Sequence, residues 1–165
     1  MVRATRTPSG AMALVLVLLW VLLGGQAIAQ KNVASLEPLL TVADLGKIGL
    51  SGVVLAPPDA HDRTGELGFL RASDEWLVLT LSRFDMNSLG GGTLRSAVGV
   101  ISTDVVSVSG VGDEAYALVD SLFLVFRKGT AAFQLSSGID ASRAGKPFLT
   151  SEQLAGLAKL VCSRL

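Results

Sequence analysis

The chain has 165 residues, 50% of them hydrophobic, and its formal net charge is zero because 14 basic groups balance 14 acidic ones. Charges of both signs are interspersed without a basic block, which argues against nucleic acid as the partner. A single cysteine, Cys162, excludes an internal disulfide, so the fold must rest on its apolar core. Because Cys162 lies in a C-terminal helical pattern, we interpret it as a small, half-buried apolar residue.

Residues 1–29 have the three parts of a secretory signal peptide. Two arginines precede an apolar run of 13 residues, and Ala27 and Ala29 supply the small-residue ending that a signal peptidase requires. We therefore predict cleavage before Gln30 and an exported chain, either periplasmic or secreted. No cysteine lies near the predicted cleavage site, so the lipid anchor of a bacterial lipoprotein is not expected.

An uncleaved membrane anchor is the alternative for residues 11–29, since about 20 apolar residues can span a bilayer. The chain would then meet the membrane only through this segment. After cleavage, residues 30–39 are predicted to be a flexible leader. Residues 40–165 are predicted to form a single domain, which is long enough to bury a core.

The first half of this domain is predicted to hold one short helix and three strands. Thr41 caps the helix, and Asp44 in its first turn is favoured by the helix dipole. A short edge strand then stops at Pro57, since proline cannot donate to a sheet ladder. Residues 65–72 and 75–84 follow as two strands joined by a hairpin loop, because apolar side chains alternate along the second of them.

The second half is predicted to hold three further strands and a final helix. A flexible loop around the glycines at 90–92 comes first, and strand-like apolar runs follow. Thr150 and Gln153 form a capping box at the start of the last helix, whose apolar residues recur at three- and four-residue spacing. These elements predict an α+β fold. A mostly antiparallel sheet of about five strands would have one face covered by the N-terminal and C-terminal helices.

The stretch SGVGDEAYAL could be an active-site loop or a structural turn. Gly110 and Gly112 permit backbone angles that other residues resist, Asp113 can accept backbone N–H groups in a tight turn, and Tyr116 begins the next strand. The competing hypothesis is an acid/base site made of Asp113 and Glu114. Adjacent residues on a strand point to opposite faces, so these two carboxylates would not converge. We therefore predict a structural turn.

The one metal-like cluster consists of Asp59, His61 and Asp62. His61 is the only histidine in the chain, whereas a zinc site usually draws three ligands that are mostly histidines. We interpret the cluster as a polar loop after two prolines. The glycine run lacks the G-K-[ST] of a phosphate-binding loop, and no G-x-S-x-G nucleophile elbow occurs. No catalytic residue, metal or cofactor is therefore expected.

With these elements placed, several stretches resemble small exported sensor-like domains of bacterial lipoproteins and receptor-kinase ectodomains. They are TVADL, GVGDEAY, LFLVFRKG and LTSEQLAGLAKLVCSRL, and the likeness extends from about Leu40 to Leu165. The resemblance implies an exported bacterial α+β domain that binds without catalysis, and it carries over no catalytic residue. The chain lacks the lipidation cysteine and the second cysteine of disulfide-bonded members, which argues against a signalling role.

We therefore expect an exported, non-enzymatic domain that binds an unknown envelope protein or a small molecule. Its contact surface is predicted on the sheet face away from the helices and in the nearby loops, with the candidate residues Asp59, His61, Asp62, Trp76 and Arg83. Two alternatives stay open. One is a hydrolase with a sparse carboxylate site of Asp59, Asp62 and Glu66. The other is a structural or assembly factor held in the membrane by an uncleaved N-terminal helix.

Overall fold

The computed structural model describes residues 36–57, 65–86, 93–99, 104–118 and 122–165, all within the unit Asn32–Leu165. The strands are β1 (Val53–Leu55), β2 (Glu66–Arg71), β3 (Leu77–Asp85), β4 (Val105–Ser107), β5 (Glu114–Leu118), β6 (Phe123–Lys128), β7 (Ala131–Ser137), β8 (Ile139–Asp140) and β9 (Lys146–Pro147). The helices are α1 (Val42–Lys47), α2 (Leu94–Gly99) and α3 (Ser151–Ser163), with a 3-10 turn at Ala141–Arg143. The predicted signal segment and the glycine run at 90–92 lie outside the described residues.

Seven strands form one antiparallel sheet in the order β1–β2–β3–β7–β6–β5–β4, and β8 pairs with β9 in a second, small sheet. The described part of the chain is therefore mostly β, and the predicted α+β fold with about five strands is wrong. Sequence reasoning missed β4 because three residues are too few to show an alternating pattern. It also missed β8 and β9, which have two residues each and lie in a predicted loop.

Two meanders make up the large sheet, and the pairing of β3 with β7 joins them. Strands β1 to β3 form the first meander and strands β4 to β7 the second, with each strand antiparallel to the next. Seven residue pairs connect β3 with β7, from Leu79 opposite Ser137 to Asp85 opposite Ala131. The register of this one junction decides which side chains of the two meanders meet.

The first face of the sheet carries the main core, which α1 and α3 complete. Every second side chain of a strand points to this face, and Phe69, Leu81 and Phe133 are fully buried there. The Phe126 ring stacks on the Phe133 ring with 5.4 Å between centroids. The helices add their apolar stripes to the same cluster, with the buried residues Leu45, Leu154, Leu157, Ala158 and Val161.

The second face is covered by α2 at one end. Leu94 and Val98 of α2 are buried against Leu118, Phe123 and Val125 of β5 and β6, which makes a smaller apolar cluster. The register places the second-face side chains of β2, β3 and β7 beside this cluster and further from α2. The second face is thus divided into an apolar part under α2 and a neighbouring part with different chemistry.

Both predicted helix caps are confirmed. The Thr150 hydroxyl accepts a hydrogen bond from the Gln153 backbone N–H at 3.2 Å, and the Thr150 N–H donates to Gln153 Oε1 at 2.9 Å. Thr41 and Asp44 form the same reciprocal pair at the start of α1. Cys162 is half-buried against the core as predicted, and burial raises the pKa of its thiol.

A buried ion pair ties α1 to the residues after α3. The carboxylate of Asp44, which is only 2% exposed, accepts hydrogen bonds from the two terminal guanidinium nitrogens of Arg164 at 2.6 and 2.9 Å. The Thr41 hydroxyl donates to it at 2.7 Å, and Lys47 Nζ lies 3.3 Å away. These bonds, above all those from Arg164, outweigh the desolvation of the carboxyl and hold the pKa of Asp44 well below its usual range.

This lowered pKa makes the contribution of Asp44 to stability depend on pH. A carboxyl with a depressed native pKa stabilises the fold fully above its unfolded pKa of about 4, and the contribution falls as the pH drops toward the native pKa. We expect Asp44→Asn to lower the free energy of unfolding at pH 7 and to differ less from the wild type at pH 3, where the carboxyl is mostly protonated in the unfolded chain but still ionised in the native one. Urea unfolding at both pH values measures this difference, and a difference that is the same at pH 7 and pH 3 would contradict the account.

Candidate functional site

Five polar side chains of β2, β3 and β7 form a strip on the second face, here named the polar floor: Glu66, Thr80, Ser82, Gln134 and Ser136. Glu66 lies opposite Ser82, and Ser82 lies opposite Gln134 on the other side. In the next row Thr80 lies opposite Ser136. Directly opposite side chains have Cβ atoms about 4.5–5.5 Å apart, so the five side chains occupy one small area.

The alternation of the central strands creates this strip. In β3 the leucines at 79 and 81 enter the core, and Thr80 and Ser82 therefore point to the second face. In β7 the core positions are Phe133 and Leu135, which sends Gln134 and Ser136 the same way. Glu66, Ser82, Gln134 and Ser136 are half-buried, so each keeps part of its surface in contact with solvent.

Thr80 differs from the other buried polar residues of the described chain. The buried polar residues of the described chain are Asp44, Thr80, Ser137 and Asp140. The Ser137 hydroxyl donates to the Gly138 carbonyl and accepts from the Leu149 N–H, both at 3.0 Å. The hydroxyl of Thr80, which is 6% exposed, has no hydrogen-bond partner among the described residues. A buried hydroxyl without a partner costs roughly 1–3 kcal/mol, so Thr80 is the unexplained group of the floor.

The floor offers more acceptors than the protein itself uses. Gln134 Nε2 donates to Ser136 Oγ at 2.7 Å, which leaves the Gln134 carbonyl oxygen directed to other partners. No described side chain bonds to the carboxylate of Glu66. The carboxylate and the amide oxygen can accept hydrogen bonds, and the hydroxyls can donate or accept. This set can hold a molecule with several hydroxyl groups.

Phe84 forms the border between the floor and the part of the second face under α2. It follows Ser82 by two residues on β3, so both side chains are on the same face. Phe84 is half-buried and packs against the α2 cluster. The floor therefore ends at an aromatic ring and a helix, which together rise above the plane of the sheet.

Of the predicted contact residues, the structure describes Trp76 and Arg83 and does not bring these two together. Trp76 is 42% exposed and precedes β3, and its backbone N–H points toward Asp74 Oδ1 at 3.4 Å. Arg83 lies on the first face, where its guanidinium sits 6.0 Å from the centroid of the Phe133 ring. Seven residues of strand separate the two, about 23 Å at the usual rise. Arg83 thus lies on the opposite face from Thr80 and Ser82, and its role as a ligand contact stays a prediction.

The remaining predicted contacts, Asp59, His61 and Asp62, lie outside the described residues. Glu66, the third carboxylate of the alternative hydrolase site, lies on the polar floor, where its cross-strand neighbours are Ser82 and Gln134. Sequence reasoning did not identify Thr80, Ser82, Gln134 or Ser136. Only the register of β3 on β7 reveals them as neighbours.

The residues of the predicted turn pack the β4–β5 connection against the β6–β7 hairpin. Gly110 and Gly112 have φ angles of +73° and +55°, and a Cβ on Gly112 would overlap the carbonyl oxygen of Arg127. The Asp113 N–H donates to that oxygen at 2.8 Å, and the Asp113 carboxylate accepts from the Gly129 N–H at 2.7 Å. The Gly129 bond lowers the pKa of Asp113. A glycine is therefore required at position 112, because the backbone of Arg127 lies too close to allow a side chain there.

Glu114 and Tyr116 act in the same connection. Tyr116 lies within β5, and its hydroxyl donates to Glu114 Oε1 at 3.0 Å, which raises the pKa of Tyr116. Arg127 Nε lies 3.5 Å from Glu114 Oε2. Arg127 also lies 3.9 Å from Asp113 Oδ2, so it pairs with both carboxylates from the β6–β7 hairpin. This part of the chain therefore has the contacts of a structural brace.

A second cluster of charges surrounds Arg71 at the end of β2. Its guanidinium pairs with both carboxylate oxygens of Asp74, reaches Asp140 Oδ2 at 3.4 Å and lies 5.0 Å from the centroid of the Phe148 ring. Hydrogen bonds from Arg71 lower the pKa of Asp74, and those from Ser142 lower the pKa of Asp140. These carboxylates are held ionised.

The described part of the chain contains neither a group of side chains suited to a metal ion nor a helix suited to cross a membrane. No group of three or more His, Cys, Asp or Glu side chains there could hold a metal ion. Among the same residues, no helix has the length and apolar character to cross a membrane. Residues 11–29 and His61 lie outside the described part of the chain.

Comparison with known proteins gives no relative for this chain: no family model matches it, and neither a curated protein nor a solved structure does. The resemblance to exported sensor-like domains therefore stays a prediction. The polar floor is inferred only from the strand register and the burial of side chains in this chain.

The different surroundings of Thr80 and Ser137 give a matched test of stability. Thr80→Val removes a hydroxyl that has no described partner, so we expect the free energy of unfolding to stay the same or rise slightly. Ser137→Ala leaves the buried Leu149 N–H without its acceptor and should cost about 1–3 kcal/mol. Urea unfolding of both variants and the wild type checks this, and a large loss of stability in Thr80→Val would show that its hydroxyl is satisfied within the protein.

Proposed function

We propose that this chain is a non-enzymatic binding domain that recognises its partner through the polar floor. One observation carries the proposal: the central strands β2, β3 and β7 present half-buried polar side chains on the second face, next to an apolar part that α2 covers. Central strands usually bury both faces or leave one to water. The polar strip is such a solvated face, and the helix α2 beside it forms a step against which a ligand can lie.

The charges of the described residues support binding over acid/base catalysis. A catalytic acid at neutral pH requires a carboxyl pKa raised toward 7. The pKa values of Asp44, Asp74, Asp113 and Asp140 are all lowered, each by hydrogen bonds from neighbouring groups. The alternative hydrolase would need Asp59 and Asp62 beside Glu66, and its test is whether replacing Glu66 abolishes a hydrolytic activity.

We also propose that the domain works outside the cytoplasm, in the cell envelope or beyond it. The support is the signal-peptide pattern of residues 1–29, which predicts a mature chain that begins at Gln30. The competing proposal is a structural or assembly factor anchored through residues 11–29. An intact N-terminus in the membrane fraction would favour that factor over an exported domain.

Native mass spectrometry of the protein, purified gently from its own cell envelope, tests the binding proposal. We expect a mass that corresponds to a chain starting at Gln30 plus an added mass that leaves on activation. Ser82→Phe fills the middle of the floor with a ring that suits a strand, and it should abolish the added mass. Ser107→Phe is the matched control, because Ser107 is an exposed serine on the edge strand β4.

Two results would contradict the proposal. One is a bare wild-type chain, which shows that no partner stays bound. The other is an added mass that Ser82→Phe leaves unchanged, which places the partner elsewhere on the protein. Equal circular dichroism spectra of the two variants confirm that a loss in Ser82→Phe comes from the blocked floor and not from misfolding.

A further inference from the structure

We propose that the molecule recognised by the polar floor is a small, uncharged, polyhydroxylated compound of the carbohydrate class. This inference rests on the proposed binding function and assigns its ligand class. It comes from three properties of the floor: the hydrogen-bonding groups that lack protein partners, the charge of the site, and the aromatic ring at its border.

The unpartnered groups match the chemistry of hydroxyl ligands. The Thr80 hydroxyl is nine-tenths buried, and no described residue gives it a hydrogen-bond partner, so it is free to bond to a ligand atom as far as the described residues go. The Glu66 carboxylate and the Gln134 amide oxygen accept only. A sugar hydroxyl donates to such an acceptor and can accept from Thr80 with its own oxygen. A ligand with several adjacent hydroxyls can therefore satisfy all three residues at once.

The charge of the floor excludes anions and disfavours a simple cation. Glu66 is its only charged residue and repels an anionic ligand. Two described cations lie beyond it on this side of the sheet: Arg127, which already pairs with Glu114 at 3.5 Å, and Arg95 of α2, which acts on Tyr116. A hard metal ion would need several oxygen ligands of the carboxylate type, and Glu66 has serine and glutamine as its cross-strand neighbours. A neutral ligand suits one carboxylate among hydroxyls and an amide.

The border of the floor adds an apolar contact. Phe84 is half-buried beside Ser82, and part of its ring faces outward. A sugar ring has an apolar face of C–H groups as well as a polar rim, so it can lie against the ring while its hydroxyls reach the floor.

Saturation-transfer NMR and titration calorimetry of the mature chain test the ligand class. The probes are maltose, cellobiose and N,N′-diacetylchitobiose, with maltobionic and cellobionic acids as anionic counterparts and a capped alanine tripeptide as a neutral control without hydroxyls. We expect saturation transfer to at least one neutral disaccharide and none to the acids or the tripeptide.

Three variants show whether the floor is the site. Thr80→Val should weaken binding of that disaccharide about tenfold, the effect of one lost hydrogen bond. Thr130→Val, at an exposed turn residue, should leave it unchanged. Glu66→Gln keeps the acceptor but removes the charge, so the affinity for the acid should rise toward that for the neutral sugar. A purely structural role of Glu66 would not change this ratio.

The outcomes separate the ligand class from the binding function. Absence of binding to every neutral disaccharide, or equal affinity of the wild type and Thr80→Val, overturns the carbohydrate inference. If the added mass in native mass spectrometry still disappears in Ser82→Phe, the binding function survives with another ligand class. If the chain is also bare in that experiment, both proposals fail.

Discussion

The pairing of β3 with β7 is the interaction on which the rest of the structure depends. It is the junction between two meanders that are otherwise built from local hairpins, and its seven residue pairs connect segments about 50 residues apart in the chain. Its register sets Leu81 opposite Leu135 on the core side, and Ser82 opposite Gln134 on the other side. A shift by one residue would turn the leucines to solvent and the polar side chains into the core.

The two faces of the sheet therefore have different roles. The first face closes the core under α1 and α3, and the Arg164–Asp44 ion pair holds the N-terminal helix to the last residues of the chain. The β6–β7 hairpin is held from the side by Asp113, which accepts from Gly129. The charged groups in these contacts are already paired within the protein. Among the described residues, the polar side chains of the second face make the fewest hydrogen bonds within the protein, so they are the groups left to bond to a ligand.

Local features could be predicted from the sequence, because their signals lie within a few residues of one another. The capping boxes at Thr41 and Thr150 each need only a partner three residues on, and both exist. The alternation of β3 also indicated the correct side for Arg83, since it is in step with the leucines at 79 and 81.

The number of strands and the polar floor could not be predicted in the same way. Strand β4 has only three residues, and its extended conformation depends on pairing with β5, which is a tertiary interaction. The β2–β3 pairing passes from Leu79 opposite Phe69 to Leu77 opposite Leu70 and so skips Val78, and no glycine or proline in β3 indicates this bulge. A threonine between leucines predicts a strand but not a buried hydroxyl without a partner. That property of Thr80 depends on neighbours contributed by two other strands.

The central claim is that β3 and β7 together form a surface that contacts a ligand. The most direct measurement is backbone NMR of the isotope-labelled mature chain before and after addition of the deproteinised small-molecule extract of its own cell envelope. The account predicts amide shift changes concentrated at Glu66, Thr80, Ser82, Gln134 and Ser136, and none at the Asp44–Arg164 pair. Shift changes confined to the first face or to the turn at Gly112, or no changes at all, would contradict it.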